Sequence, residues 1–264
     1  MKSLMRPDRL LPILIAGALV LGDYEANAQQ YFGEDLNGSP SVRLAAWPNA
    51  TNARNMFLAS LSGVGTESFE SFAAGTTGPL NLTFPGAGTA NLSGSVTVRN
   101  QPTGSSVGRY PTDGNQYLEA AFGATPANNF RIDFTSPVAA FGFMGTDIGD
   151  FGSQLMLTFF HAGGGSTALN VPHSLGTGTS SPPDGAVLFF GLINALNPFI
   201  AIEFSAAFVG ASTDVFGFDQ MTIGSVEQVV PVVTPEPISM ALLGTGLAGV
   251  AAARRRRRNN VKDV

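Results

Sequence analysis

Between residues 66 and 223 the apolar residues fall on alternate positions in short runs. Gly, Pro, Asn and Asp break the runs at near-regular intervals. A period of two puts every second side chain on one face of an extended strand, and it leaves no continuous apolar stripe for a helix. Leu80, Leu82 and Phe84 alternate with Asn81 and Thr83, and Val96 and Val98 with Thr97 and Arg99. Phe130, Ile132 and Phe134 face one way while Arg131 and Asp133 face the other. Leu155, Leu157 and Phe159 form another run, and Ile200, Ile202 and Phe204 alternate around Glu203. Residues 117–120 and 168–171 give shorter runs. Residues 138–144 and 187–192 are almost wholly apolar and read as buried strands. Residues 67–72 read as the opening strand and 215–223 as the closing one. About ten short strands with this spacing predict an all-β domain, a single β-sandwich of jelly-roll type. The chain has 20 phenylalanines, and those in these strands supply the core between two sheets.

Ahead of the strands, residues 29–48 are mixed and loop-like. Pro48-Asn49 offers a helix start with Asn49 as the N-cap. Ala53, Met56, Phe57, Ser60 and Leu61 recur at helical spacing, and the Ser62-Gly63-Val64-Gly65 stretch ends the segment. One short helix on the flank of the sandwich is therefore expected. Residues 225–234, with Pro231 and repeated valines, read as an extended spacer.

The two ends of the chain follow other patterns. Lys2, Arg6 and Arg9, an apolar stretch over 10–21 and Ala26-Asn27-Ala28 make a signal peptide over residues 1–28, with cleavage after Ala28. At the other end, residues 238–253 carry no charge and would span roughly 24 Å as a helix, just short of a bilayer core. Pro235, Glu236 and Pro237 precede this run, and the prolines bar the helix from extending backwards. Arg254, Arg255, Arg256, Arg257 and Arg258 follow it and would stay on the cytoplasmic side.

These three parts, in this order, resemble a PEP-CTERM sorting signal over 235–258, a feature of exported proteins of Gram-negative bacteria. The resemblance implies an exosortase as partner. It also implies transient anchoring of the transmembrane sorting helix in the inner membrane, processing of the tail, and delivery to the cell surface or extracellular matrix. The plain alternative is a permanent anchor, with Gly244, Gly246 and Gly249 serving close helix packing. A hydrophobic segment alone leaves the Pro-Glu-Pro unexplained.

Between the two signals, residues 29–234 carry five arginines, no lysine and fourteen acids, a net charge near −9. Such a domain is a poor partner for nucleic acid or anionic membranes, and it permits divalent cations. With no cysteine in the chain, no disulfide staples the domain. About 206 residues are enough to bury a full core unaided.

Catalytic motifs are sparse. His161 and His173 lie in or beside turns and read as surface loop residues, and there is neither a G-x-S-x-G elbow nor a cysteine nucleophile. Gly163-Gly164-Gly165 reads as a hairpin turn, not a phosphate loop. Phe141-Gly142-Phe143 precedes Asp147 and Asp150, and Phe216-Gly217-Phe218 lies between Asp214 and Asp219. In a strand each motif sets both rings on one face, and the glycine allows close approach on the other.

An early strand with Glu70, a late strand with Asp219 and the Phe-Gly-Phe-Asp pattern resemble the carbohydrate-binding-module and galactose-binding-like sandwiches. That resemblance implies that first and last strands lie side by side. Two carboxylates meeting there would repel unless a cation intervened, so a structural calcium held by Glu70 and Asp219, with Asp214 as a third ligand, is expected, the alternative being that both acids point to solvent. Trp47, Tyr110 and Tyr117 are the rings expected to be freest to stack on sugar. The expected function is a non-enzymatic cell-surface or matrix protein, with exopolysaccharide as its ligand. The alternative is a secreted glycan-active hydrolase using paired carboxylates.

Overall fold

The computed structural model describes residues 28–123, 129–178, 180–208 and 213–231, together with Thr245, Gly246, Gly249, Val250 and Arg254. The strands are β1 (Gln29–Asp35), β2 (Thr66–Glu67), β3 (Leu80–Phe84), β4 (Gly88–Gly94), β5 (Val96–Asn100), β6 (Gln116–Gly123), β7 (Phe130–Val138), β8 (Ala140–Thr146), β9 (Ser153–His161), β10 (Ser166–Asn170), β11 (Val187–Ile193), β12 (Phe199–Phe208) and β13 (Thr213–Gly224). One helix, α1 (Pro48–Ala59), lies between β1 and β2. The strands form two antiparallel sheets. One runs β1-β11-β8-β13-β6-β5, with β2 beside β13, and the other runs β10-β9-β12-β7-β4-β3. This is a two-sheet β-sandwich with a helix laid on one outer face.

The alternation in sequence becomes alternation in burial. Leu80, Leu82 and Phe84 of β3 are buried while Asn81 and Thr83 are exposed, and β9 keeps the same rhythm along its length. The inward side chains meet between the sheets in an aromatic core. Phe130 stacks on Phe204 at 4.2 Å between centroids, and Phe143, Phe204 and Phe218 lie edge-on or tilted at 5.4–5.6 Å. Phe141 and Phe143 both point into this core, as do Phe216 and Phe218, so each Phe-Gly-Phe sets its rings on one face.

β8 and β11 are buried at every position because they are covered on both sides. Phe141, Phe143, Leu188 and Phe190 face the other sheet, while Ala140, Met144, Val187 and Phe189 face α1. The paired glycines Gly142 and Gly191 make the floor on which α1 rests. A Cβ on Gly191 would lie 2.7 Å from the Phe57 ring, and one on Gly142 would lie 3.0 Å from it. The close approach expected at the glycine of Phe141-Gly142-Phe143 is therefore made by an aromatic side chain.

Several expectations change. Residues 29–35 form an edge strand paired with β11, although Gln29, Gln30, Glu34 and Asp35 give it little apolar signal. The first residue of this strand directly follows Ala28. α1 begins at Pro48, and its first amides are capped from outside: Asn49 N and Ala50 N donate to the Asp35 carboxylate at 3.2 and 2.9 Å. Asn49 is not the cap. A carboxylate there also complements the helix dipole.

The opening strand stops at Glu67. Phe69 turns at φ 62°, because the Glu67 side chain accepts its amide (2.7 Å) and that of Thr83 (3.1 Å). β4 was not expected, since Gly88, Ala90 and Gly94 carry weak β propensity. Gly163-Gly164-Gly165 does close the β9–β10 hairpin.

The start of the expected spacer is part of the fold. Residues 226–228 make a 3-10 turn, Leu61 bridges Val229, and Gln228 Nε2 donates to Gly63 O and Gly86 O. All but the last residue of the signal peptide expected over 1–28, and most of the sorting tail, lie outside the described residues. The five described tail residues are helical, and among the described residues no helix is long and apolar enough to cross a membrane.

Candidate functional site

The three acids expected to share a calcium do not form one site. Glu70 sits in an exposed turn after β2, where its Oε1 accepts Asn115 N (2.8 Å) and Gln116 N (2.6 Å). Asp219 is buried in β13 and accepts Thr112 N, Thr112 Oγ1, Asp113 N and Gln220 N at 2.7–3.0 Å. Burial pushes the Asp219 carboxyl up to about 7, against the pull of those amides. Both acids brace the loop 112–116 from the protein side, and four donors leave Asp219 little lone-pair capacity for a metal. Asp214 lies at the start of the same strand, with Ser153 Oγ and Val215 N as donors.

Asp214 belongs to a different cluster. β8 and β13 run antiparallel, and so do β8 and β11. The end of β8 and the starts of β9, β11 and β13 therefore meet at one end of the sandwich. Asp147 and Asp150 lie in the turn from β8 to β9, and Asp184 lies in the turn before β11. Ligand-type oxygens of Asp147, Asp150 and Asp184 all fall within 4.8 Å of one another. All three are buried, with exposures of 2%, 2% and 1%. Among the described residues, no other group of three His, Cys, Asp or Glu side chains meets this geometry.

The turns are built for close packing around these acids. Asp147 itself adopts φ 60°, a left-handed conformation that Asp tolerates better than most residues. At Gly108 (φ 85°) a Cβ would fall 2.0 Å from Asp147 Oδ1, so only glycine lets the 105–109 turn close over that carboxylate.

The four acids are not equally satisfied. Asp147 Oδ1 accepts Gly185 N (2.9 Å), and its Oδ2 accepts Arg109 Nη1 (2.9 Å). Arg109 also bonds Glu119 at 3.0 Å, and Glu119 is shared with Arg99. Asp184 Oδ2 accepts Ser180 N (2.6 Å). Asp150 Oδ1 is buried with no donor at all. The Asp214 carboxyl is close enough to Asp150 to raise it, and two neighbouring carboxylates repel unless a proton or a cation intervenes. Burial, reinforced by the neighbouring acids, pushes Asp147 and Asp150 up to about 8. Burial raises Asp214 to about 6.

Asp147 and Asp150 are noticeable in sequence as the acids after Phe141-Gly142-Phe143. Nothing local in the sequence marks Asp184, which reaches the cluster through a turn 34 residues beyond Asp150.

The other residues singled out in sequence are structural. His161 is buried at the end of β9 and bonds Thr167 Oγ1 (2.9 Å) and Asn197 O (3.2 Å). His173 Nε2 accepts Leu155 N (3.0 Å), which leaves Nδ1 to donate to Ser174 O (2.9 Å), and burial lowers its pKa. His161 is thus a buried strand residue, and His173 is half-buried in the segment between β10 and β11. Tyr110 and Tyr117 are 0% and 1% exposed, with Tyr110 Oη donating to Gly185 O (2.7 Å), and Trp47 packs on Tyr110. Neither tyrosine is free to stack on a sugar, while Trp47 is half-buried. The exposed aromatics among the described residues are Phe32 and Phe151.

The fold and the tail together define the class: a β-sandwich domain followed by a sorting tail. The family model described as the PEP-CTERM protein-sorting motif matches residues 233–258. The chain thus carries a PEP-CTERM sorting motif at its C-terminus, which marks an exported protein sorted by an exosortase. No curated protein matches the chain in sequence. Solved structures similar to part of it include the following two. The K2 cleaved adhesin domain of Lys-gingipain matches at 12% identity and TM-score 0.35, covering 61% of this chain and 98% of that one. The carbohydrate-binding module TmCBM61, in complex with β-1,4-galactotriose, matches at 14% identity and TM-score 0.28, covering 60% and 94%.

Proposed function

We propose that this protein is a non-enzymatic component of the cell surface or extracellular matrix, delivered by an exosortase, with exopolysaccharide as its partner. The observation that carries this reading is the sorting motif at 233–258, placed beyond a sandwich whose chain has already completed its sheets at Gly224. The strand order supports the jelly-roll form of the sandwich. Eight consecutive strands alternate as β6-β13-β8-β11 in one sheet and β7-β12-β9-β10 in the other, the arrangement of two interlocked Greek keys. Burial supports the non-enzymatic reading over a glycan hydrolase. The clustered acids are at most 5% exposed, and a glycosidase needs two carboxyls that flank a bound sugar.

Delivery and ligand can be tested together, in cells with and without exopolysaccharide. The wild-type protein should fractionate with the surface when polysaccharide is present and with the medium when it is absent. A Pro235→Ala/Glu236→Ala variant should stay in the inner membrane in both. A variant delivered like the wild type overturns the sorting reading. Surface retention that ignores the polysaccharide overturns the ligand.

A further inference from the structure

We propose that Asp147, Asp150 and Asp184 bind one structural calcium ion, which ties the β8–β9 turn to the turn before β11. The geometry suits a single ion. Calcium–oxygen distances of 2.3–2.6 Å put ligands on opposite sides of the ion about 5 Å apart, and the three carboxylates lie within 4.8 Å of one another. The independent observation is Asp150 Oδ1. It is buried in a side chain only 2% exposed, and no protein donor reaches it. A buried carboxylate oxygen without a partner is costly, and a cation in the cluster removes that cost.

Charge balance points the same way. Asp214, whose charge acts on Asp150, adds a fourth carboxyl nearby. Among the described residues, Arg109 is the one cation bonded to the group; it reaches Asp147 and is shared with Glu119. Residues 29–234 contain no lysine that could serve instead.

The donor set selects the metal. All the groups are hard oxygens, without Cys, and the two histidines are committed elsewhere, which disfavours zinc. Calcium accepts irregular shells of six to eight oxygens, so turn carbonyls or water can complete this one. Extracellular calcium modules bind at 10⁻⁴–10⁻³ M. The exported setting of the protein makes such an affinity useful, and the site does not depend on what the protein binds.

The test uses the full chain in mild detergent, in calcium chloride against chelator. Calorimetry should show about one calcium per chain. At a hundredfold excess over Kd the melting temperature should rise by roughly 5–10 °C. Hydrogen exchange should slow selectively in 147–153 and 180–186. Asp150→Asn, or Asp184→Asn if the first fails to fold, should abolish both binding and shift, while Glu70→Gln should keep them. No bound calcium and equal melting temperatures overturn the proposal. So does calcium protection confined to 66–72 and 112–116, which would return the site to Glu70 and Asp219.

Discussion

At the residue scale, the buried acids make stability depend on pH in an unusual direction. An unfolded Asp titrates near 3.9, whereas Asp147 and Asp150 in the fold are raised to about 8, chiefly by burial, with Arg109 pulling the other way. Asp214 and Asp219 are raised as well, to about 6 and about 7. The folded state therefore holds protons that the unfolded state releases. The stability this gives is complete below about pH 4 and is lost as pH rises through about 8. In chelator, the melting temperature should fall by roughly 5 °C or more between pH 5 and pH 8, equivalent to a loss of about 2 kcal/mol. Thermal unfolding followed by circular dichroism checks this. A melting temperature that climbs over that range would mean that Asp147, Asp150, Asp214 and Asp219 ionise without cost.

At the element scale, α1 is a helix held by tertiary contacts. Twelve residues are marginal as an isolated helix in water. Its own sequence supplies Ala50, Ala53 and Phe57 as a buried stripe, while the expected core residue Met56 is 56% exposed. Phe57 lies between Tyr31 and Phe189 at 5.6 and 5.5 Å, above Gly142 and Gly191. Phe57→Ala should cost about 3–5 kcal/mol. Gly191→Ala should cost about 1–3 kcal/mol, because its new methyl must displace the ring. The two changes are not additive. In a Phe57→Ala background the Gly191→Ala cost should shrink, since the nearest clashing atoms are gone. Denaturant unfolding of the four proteins measures the coupling, and full additivity would show that the ring does not sit on that glycine.

At the scale of the whole molecule, the boundary between folded domain and tail falls later than composition suggests. Val230 N bonds Ser60 O (2.9 Å), Ser62 N bonds Gln228 O (2.8 Å), and the Gln228 side chain clamps two further carbonyls. A chain ending after Pro231 should be as stable as the full protein. One ending at Gly224 should lose about 1–3 kcal/mol, the net worth of those hydrogen bonds. Comparison of denaturation midpoints decides this. Equal midpoints would make residues 225–230 a true spacer.

The period-two pattern by itself determined the β class and the inward and outward faces of β3, β7 and β9, and the helical spacing after Pro48 determined the position of the helix, because each of these follows from side-chain spacing along one strand or one turn. The tail was equally legible, since its three parts are contiguous in sequence. β1 and β4 were not, because an edge strand of Gln, Glu and Asp and a strand of Gly and Ala owe their order to partners rather than to their own residues. The cap of α1 came from Asp35, thirteen residues before Pro48, and the calcium candidates came from turns brought to one end by strand order. Glu70 and Asp219 looked like ligands because they are acids near first and last strands, but the fold spent them on the amides of the 112–116 loop. Asp147, Asp150, Asp184 and Asp214 became a site only when antiparallel pairing of β8, β11 and β13 gathered their ends. Burial there excludes the water that would otherwise solvate each carboxylate alone.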